Sequence, residues 1–436
     1  MSHPNRISTT FRTFALTQFG VASAFLLSWY LLPDVQQRQV AAELLNRPVP
    51  VDVIVSGTIP TRIQSLYDDE TVVSEEELAA VLRKILPRFS QKNLRPNYVE
   101  HALRVWGNQI EFQNPDLISG PQMADYLLDT GKYIASWGDS GQPILEPMDD
   151  GVSIRWGADM TASVHHDHLL ACLTEAGVTL DTPVYTPRRQ LQFRDVLNQA
   201  LRDFQLDERE TEWSVMAFGF WLAPEHINRW HNGQGREISF DLLADRLMRN
   251  HKKHGVCLGT HRVYSLMALL RLNQMYDGSV LSDETRQDVE NYILDVRDLI
   301  IASQEEDGAW PPNWQDGAGA EANRDAREKP HRRVIATGHH LEWLAIAPER
   351  FHPDRNIVRH GADWAIRDAI DAPQSQIDQN YTFYSHVGNA LALWRNTTPA
   401  EFWQQWRSDH PEAEEFAEPA ATVESKDEKT VPQQAH

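Results

Sequence analysis

One phrase constrains this chain more than any other: a histidine, four residues, then a leucine, at the head of apolar stretches. It occurs as His165…Leu170, His261…Leu266, His339…Leu344 and His386…Leu391, opening HHDHLLACL, HRVYSLMALL, HHLEWLAIA and HVGNALALW. Trp213…Phe218 in WSVMAFGFWL keeps the spacing with an aromatic in place of histidine. These stretches carry almost no charge beyond their first turn, so each reads as a helix buried by its neighbours. Recurrence of one helix plan predicts a helical array or toroid.

Between the apolar stretches lie amphipathic ones: MADYLLDTGKYIAS, FRDVLNQALRDFQL, FDLLADRLMRNH, DETRQDVENYILDVRDLIIAS and NIVRHGADWAIRDAID. Each carries charge on one face and aliphatics on the other. An amphipathic helix followed by an apolar one, five times over, predicts an all-α fold with outer helices shielding inner ones. The expected architecture is an α/α toroid of five to six helical hairpins, with Glu75–Phe89 and Asn97–Trp106 as the sixth pair. Strand-rich segments and glycine-rich phosphate loops are not expected. Ile134-Ala135-Ser136 and Ile301-Ala302-Ser303 are each followed by four residues, a glycine and a long loop to a double histidine, which suggests equivalent positions in the ring.

The flanks differ from this body. Arg6 and Arg12 precede an uncharged apolar run, Phe14 to Leu32, ending at Pro33. Its length is close to the roughly 20 residues that span a bilayer. Arginines on its N-terminal side place the body outside the cytoplasm, periplasmic or exported. Residues 1–33 therefore read as an uncleaved signal anchor, with a cleaved signal as the alternative. Residues 34–74, with RPVPVDVIVSGTIP, read as a linker, 75–408 as the toroid domain, and 409–436 as an acidic disordered tail. The formal charge of −21 argues against nucleic acid as a partner. Cys172 and Cys257, both in apolar segments, read as two buried thiols.

One segment carries a family resemblance. Ile300-Ile301-Ala302-Ser303-Gln304-Glu305-Glu306-Asp307-Gly308-Ala309-Trp310 places an aliphatic, a glutamine, an acidic spacer and Gly-x-Trp in the order of a QW motif. It resembles the motif of the terpenoid-cyclase and protein-prenyltransferase α/α-toroid superfamily. There the glutamine amide caps a neighbouring helix end and the tryptophan stacks over it, so the resemblance implies a fold rather than a reaction. The copy around Ile134 is degenerate, with Trp137 and Pro143 at the glutamine and tryptophan positions. The cyclase Asp-x-Asp-Asp acid is missing, since Asp68-Asp69 and Asp149-Asp150 lack its spacing. For the prenyltransferase zinc site only Cys257 and His261 suggest themselves, without a third ligand.

Aligning the phrases on histidine puts His168, Tyr264, Glu342 and Asn389 three residues on, hence on the same helix face. Polar pairs at equal heights point toward a toroid cavity. Helix N-termini would favour an anionic ligand there and keep imidazoles neutral. His165, His261, His339 and His386, with Glu342 and Tyr264, are thus acid/base candidates. His168, Asn389 and Trp213, with Trp156, Trp314 and Arg332 from the long loops, are ligand-binding candidates. Their expected partner is a polar or anionic small molecule, saccharide-like. The alternatives are a non-catalytic binding or scaffolding toroid and a terpenoid- or prenyl-processing enzyme. The sequence specifies no cofactor. A multi-histidine metal site ranks below these, because helices about 10 Å apart hold ring members at a distance. The run His165, His166, Asp167 and His168 is a weak metal site too, since one helical turn rarely supplies three ligands.

Overall fold

The computed structural model describes residues 9–32, 34–45, 53–249 and 255–411. Arg6, Pro33, residues 46–52 of the expected linker and residues 412–436 of the expected tail lie outside the described residues. The chain is mostly helical. First comes α1 (Thr9–Leu31), whose stretch Thr13–Leu31 is long and apolar enough to cross a membrane and equally fits a signal sequence. Next, α2 (Asp34–Leu44) occupies the start of the expected linker.

The body opens with α3 (Glu75–Lys84), α4 (Pro96–Trp106), α5 (Gly120–Leu128), α6 (Thr130–Trp137) and α7 (His168–Glu175). It continues through α8 (Phe193–Asp203), α9 (Glu212–Leu222), α10 (Phe240–Arg249), α11 (Thr260–Met275) and α12 (Asp283–Ser303). It closes with α13 (His331–Ile346), α14 (Arg355–Asp371), α15 (Gln374–Gln379), α16 (Tyr381–Trp394) and α17 (Pro399–Asp409). Three two-stranded antiparallel hairpins, at 145–154, 183–192 and 229–239, add strand that the helical periodicity did not anticipate.

Burial divides the helices into two sets. In α9 every residue from Glu212 to Leu222 is buried, and α11 is buried from Thr260 to Asn273. In α12 only a stripe through Val289, Ile293, Val296 and Ile300 is buried, the spacing of one helical face. The fully buried helices touch in a closed succession: α4 packs on α7, α7 on α9, α9 on α11, α11 on α13, α13 on α16, and α16 again on α4. Around them, α5 lies on α4, α8 on α9, α10 on α9 and α11, α12 on α11, and α14 on α13 and α16, while α3 and α17 pack on α16.

Residues 53–73 run as a strap along the C-terminal ends of the buried helices. Thr61 N donates to Phe220 O of α9, Leu66 N to Ala345 O of α13 and Asp69 N to Trp394 O of α16. Tyr276, at the end of α11, donates to Thr61 Oγ1 over 2.7 Å. The three backbone bonds occupy carbonyls that helix ends leave unsatisfied.

The segment Gln304–Trp310 joins neighbouring outer helices. Gln304 Nε2 donates to Gly308 O (2.9 Å) and to Ile357 O of α14 (2.8 Å). Trp310 Nε1 donates to Ile300 O of α12 (2.9 Å), and its ring lies against Gly361 of α14. Gly308 has φ +103°, and a Cβ there would collide with the carbonyl of His360. Gly308→Ala therefore combines backbone strain with overpacking, and should cost about 3 kcal/mol. Urea unfolding measures this; a loss below about 0.5 kcal/mol, the range of an ordinary surface change, would show that the junction does not hold the helices.

Candidate functional site

Each buried helix contributes one ring at a common height. They are His101 from α4, His168 from α7, Trp213 from α9, His261 from α11, His339 from α13 and His386 from α16. Their centroids follow one another at 4.8 Å (101–168), 4.3 Å (168–213), 4.1 Å (213–261), 4.5 Å (261–339), 3.8 Å (339–386) and 5.3 Å (386–101). The circuit closes on itself, and all six rings are buried. Small residues and glycines would leave this centre open; six planar side chains fill it.

A second polar layer lies next to the first. Arg104 Nε reaches Glu175 Oε2 (2.6 Å) and its Nη1 reaches Glu342 Oε1 (2.9 Å). Asn389 Nδ2 donates to Glu342 Oε1 (2.7 Å), and Tyr264 OH to Glu175 Oε1 (3.4 Å). The Arg104 guanidinium also lies 5.5 Å from the Tyr264 ring centroid. One cation thus ties α4 to α7 and α13. His168 Nδ1 lies 2.5 Å from Glu100 Oε2, but the angle is too poor for a hydrogen bond. Burial pushes the Glu100 carboxyl up to about 8 and raises that of Glu175, whose rise Arg104 opposes. Burial also holds the imidazoles of His101, His168, His261 and His386 well below their ordinary range, with neighbouring histidines and Arg104 adding to it. It brings His339 down to about 4.

The expected register needs one correction. His165 sits before α7 and turns outward to Glu210 (Nδ1–Oε2 2.7 Å); His168, first residue of α7, takes the ring position. The helix starts later than the phrase His165…Leu170 implies, and His168…Leu173 satisfies the same spacing. His165, His166 and His168 consequently face three different carboxylates, those of Glu210, Glu208 and Glu100. The distance argument against a histidine cluster fails as well, since side chains reach inward until His261 Nε2 and His339 Nε2 are 2.9 Å apart. His340 turns sideways, accepting from Trp343 Nε1 (3.0 Å) and packing edge-on to Trp314. Trp314 is buried and donates to Leu258 O, and Arg332 pairs with Glu328 of the loop before α13. Neither touches the ring histidines. Sequence reasoning missed His101, Glu100, Arg104 and Glu175. His101…Trp106 keeps the spacing with tryptophan in the leucine position, a signal that was available.

A cavity lies beside the ring. It measures about 450 Å³ and is lined by Trp156, His166, Asp167, Gln199, Asp203, Asp207 and Glu208 together with the 152–154 strand. Trp156 is half-exposed and meets the His166 ring edge-on at 5.2 Å. His166 Nδ1 lies 2.8 Å from Glu208 Oε2 and 3.3 Å from Asp167 Oδ2. Burial works to lower its pKa, but the Asp167 charge and the Glu208 contact outweigh it and push it up to about 9. Ser214 Oγ donates to Asp167 Oδ2 (2.5 Å). Asp167 stands at the N-cap position of α7 without a side-chain cap bond and Glu212 opens α9, so carboxyl groups of the protein already lie near the positive ends of these helices.

The ring predicts an acid-sensitive fold. Five imidazoles kept neutral when folded take up protons on unfolding below about pH 6.5. Glu100, pushed up to about 8, has the opposite sign, and the raised carboxyls of Glu175, Asp167 and Glu212 act in its direction, but the buried imidazoles, with His340 among them, outnumber these carboxyls. The imidazole contribution to stability is therefore fully present above about pH 6.5 and falls as pH drops, by about 1.4 kcal/mol per pH unit for each unmatched proton. Urea midpoints between about pH 7 and pH 5 should decline steadily, and a flat profile would contradict buried neutral imidazoles. No protein-family model, curated protein or solved structure matches this chain.

Proposed function

We propose that the protein is an α/α toroid of six hairpins, anchored by α1 with its body outside the cytoplasm, that binds a polar small molecule in the cavity beside His166. The closed succession of buried helices supports the toroid reading, and Arg12, just ahead of the apolar stretch of α1, supports the orientation. The cavity between the N-terminal end of α7 and the helix α8 carries the ligand reading, because it is large enough for a sugar-sized molecule and walled by an exposed tryptophan.

Its chemistry favours a neutral or cationic ligand over an anionic one. Asp167, Asp203, Asp207 and Glu208 line it against His166, with no lysine or arginine among the described lining residues. That polarity also disfavours an isoprenoid. His166, protonated at neutral pH, is suited to give a proton to a leaving oxygen, so the acid/base role passes from the packed ring histidines to this residue. One observation favours binding without chemistry: Ser214, whose hydroxyl lies 3.5 Å from His166 Nδ1, is buried and committed to Asp167, so it is not set as a nucleophile.

Thermal-shift screening of neutral, amino and acidic sugars tests the reading. Neutral or amino sugars should raise Tm, and Trp156→Ala or Asp203→Asn should weaken binding about tenfold, the scale of one lost aromatic or charged contact. If His166→Gln abolishes turnover but preserves binding, the catalytic form holds; if no sugar class moves Tm, the cavity is not a sugar site.

A further inference from the structure

Three imidazoles meet on one side of the ring, and their tautomers follow from their outer partners. His339 Nδ1 lies 2.7 Å from the Ile335 carbonyl, which can only accept, so Nδ1 carries the proton and the Nε2 lone pair faces inward. That lone pair meets His261 Nε2 at 2.9 Å. His386 Nδ1 lies 2.8 Å from Glu342 Oε2 and donates to it, which leaves its Nε2 bare. Arg104 Nη1, 3.0 Å from the same Nδ1, is satisfied by Glu342 Oε1 instead. Two nitrogens then stand buried without a partner, His261 Nδ1 and His386 Nε2.

A ring filled by hydrogen bonds alone handles this poorly. His261 must donate from Nε2 to His339, which strands its Nδ1, while His386 Nε2 has nothing to accept. A cation that takes lone pairs answers His386 Nε2 and the facing Nε2 atoms of His261 and His339. Imidazoles that hold metals give their other N–H outward to a carbonyl or carboxylate, the arrangement of Ile335–His339 and Glu342–His386. A sulfur donor is at hand: ligand atoms of Cys257, His261 and His339 all lie within 4.8 Å of one another. Cys257 is held there by consecutive left-handed residues, Cys257 (φ 47°), Leu258 (φ 65°) and Gly259 (φ 77°), a conformation costly for the first two. Alongside, Glu342, which holds His386, is itself held by Arg104 Nη1 at 2.9 Å, so the outer partner of this imidazole is fixed in place. Nitrogen and sulfur donors select a zinc-class ion over magnesium or calcium.

We propose that His261, His339 and His386 bind one zinc-class transition-metal ion, with Cys257 as the fourth donor and Glu342 orienting His386. The ion pins α11, α13 and α16 together. Its surroundings are closed, as those of structural rather than catalytic metal sites are. This stands independently of the ligand assigned to the cavity beside His166.

The test uses the full-length chain purified in detergent without added metal. Elemental analysis should find about one ion per chain. Unfolding in chelator and refolding with Co²⁺ should give tetrahedral d–d absorption and a thiolate-to-cobalt band; Cys257→Ser should remove only the latter. His339→Ala should lower metal content at least about tenfold, while His340→Ala, whose ring turns away, should keep it. A metal-free protein with no cobalt spectrum overturns the proposal, as does equal metal in His339→Ala and the unaltered chain. Should His339→Ala fail to fold, the cobalt spectrum of the unaltered chain decides by itself.

Discussion

Six helices that touch in a closed succession enclose an axis no backbone can occupy, and the rest of the structure answers to that hole. Water could fill it, but aliphatic side chains anchored on six sides would leave voids that cost stability. This chain fills it with flat rings, one from each helix. Planar side chains pack edge to face around a centre without clashing, and imidazoles bring nitrogens that need partners. The Arg104 layer follows from that need. Glu342 serves His386, Asn389 and Arg104 at once, and Arg104 carries the connection on to Glu175. A buried network of this kind is weak evidence for extra stability, yet removing one member strands the others. Its contribution is to make one register of the six helices better than any slipped alternative.

Closure at the centre decides where chemistry can occur. The strap 53–73 covers the C-terminal ends of the buried helices, and the rings are packed shut, so a substrate reaching the ring histidines would have to displace the core. The accessible space lies at the opposite end, beside α7 and α8. There the chain places acidic residues beside its own helix ends: Asp167 before α7 and Glu212 in the first turn of α9. Helix N-termini that would attract an anion are already answered, which inverts the ligand charge a bare ring of helices would select.

Much of this was legible in the sequence, because burial on all sides writes itself as an uncharged helix and the ring position writes itself as a spacing. His261, His339 and His386 share a register by that spacing alone, and Trp213 keeps it with an aromatic. The failures have physical causes. HHDHLL permits two phases, and only the left-handed Asp167 (φ 55°), set by tertiary contacts, starts α7 at His168. His101 escaped because Trp106 replaces the expected leucine. Glu100, Arg104 and Glu175 carry no local signature, since their partners are far away in sequence: 71 residues separate Arg104 from Glu175 and 238 separate it from Glu342. Spacing reports a helix face, whereas ion pairs between faces are decided only when the ring closes. The three β-hairpins were invisible for a related reason, being too short to show a period.

The two sites are neighbours along the chain as well as in space. His166 and Asp167 line the cavity while His168 enters the ring, and Ser214, which bonds Asp167, adjoins Trp213, which stacks between His168 and His261. The first turn of α7 therefore has one side in each environment. It lacks a side-chain cap bond at its N-terminus, and Asp167 spends its carboxylate on Ser214 and His166 instead. Its orientation is set by the ring below and the Glu208 pair above, not by its own helix. Whatever tightens the ring, by hydrogen bonds or by an ion, also fixes the groups that face the cavity. A rigid centre that cannot itself admit a ligand is then the support that holds His166 and Asp167 in place at the edge.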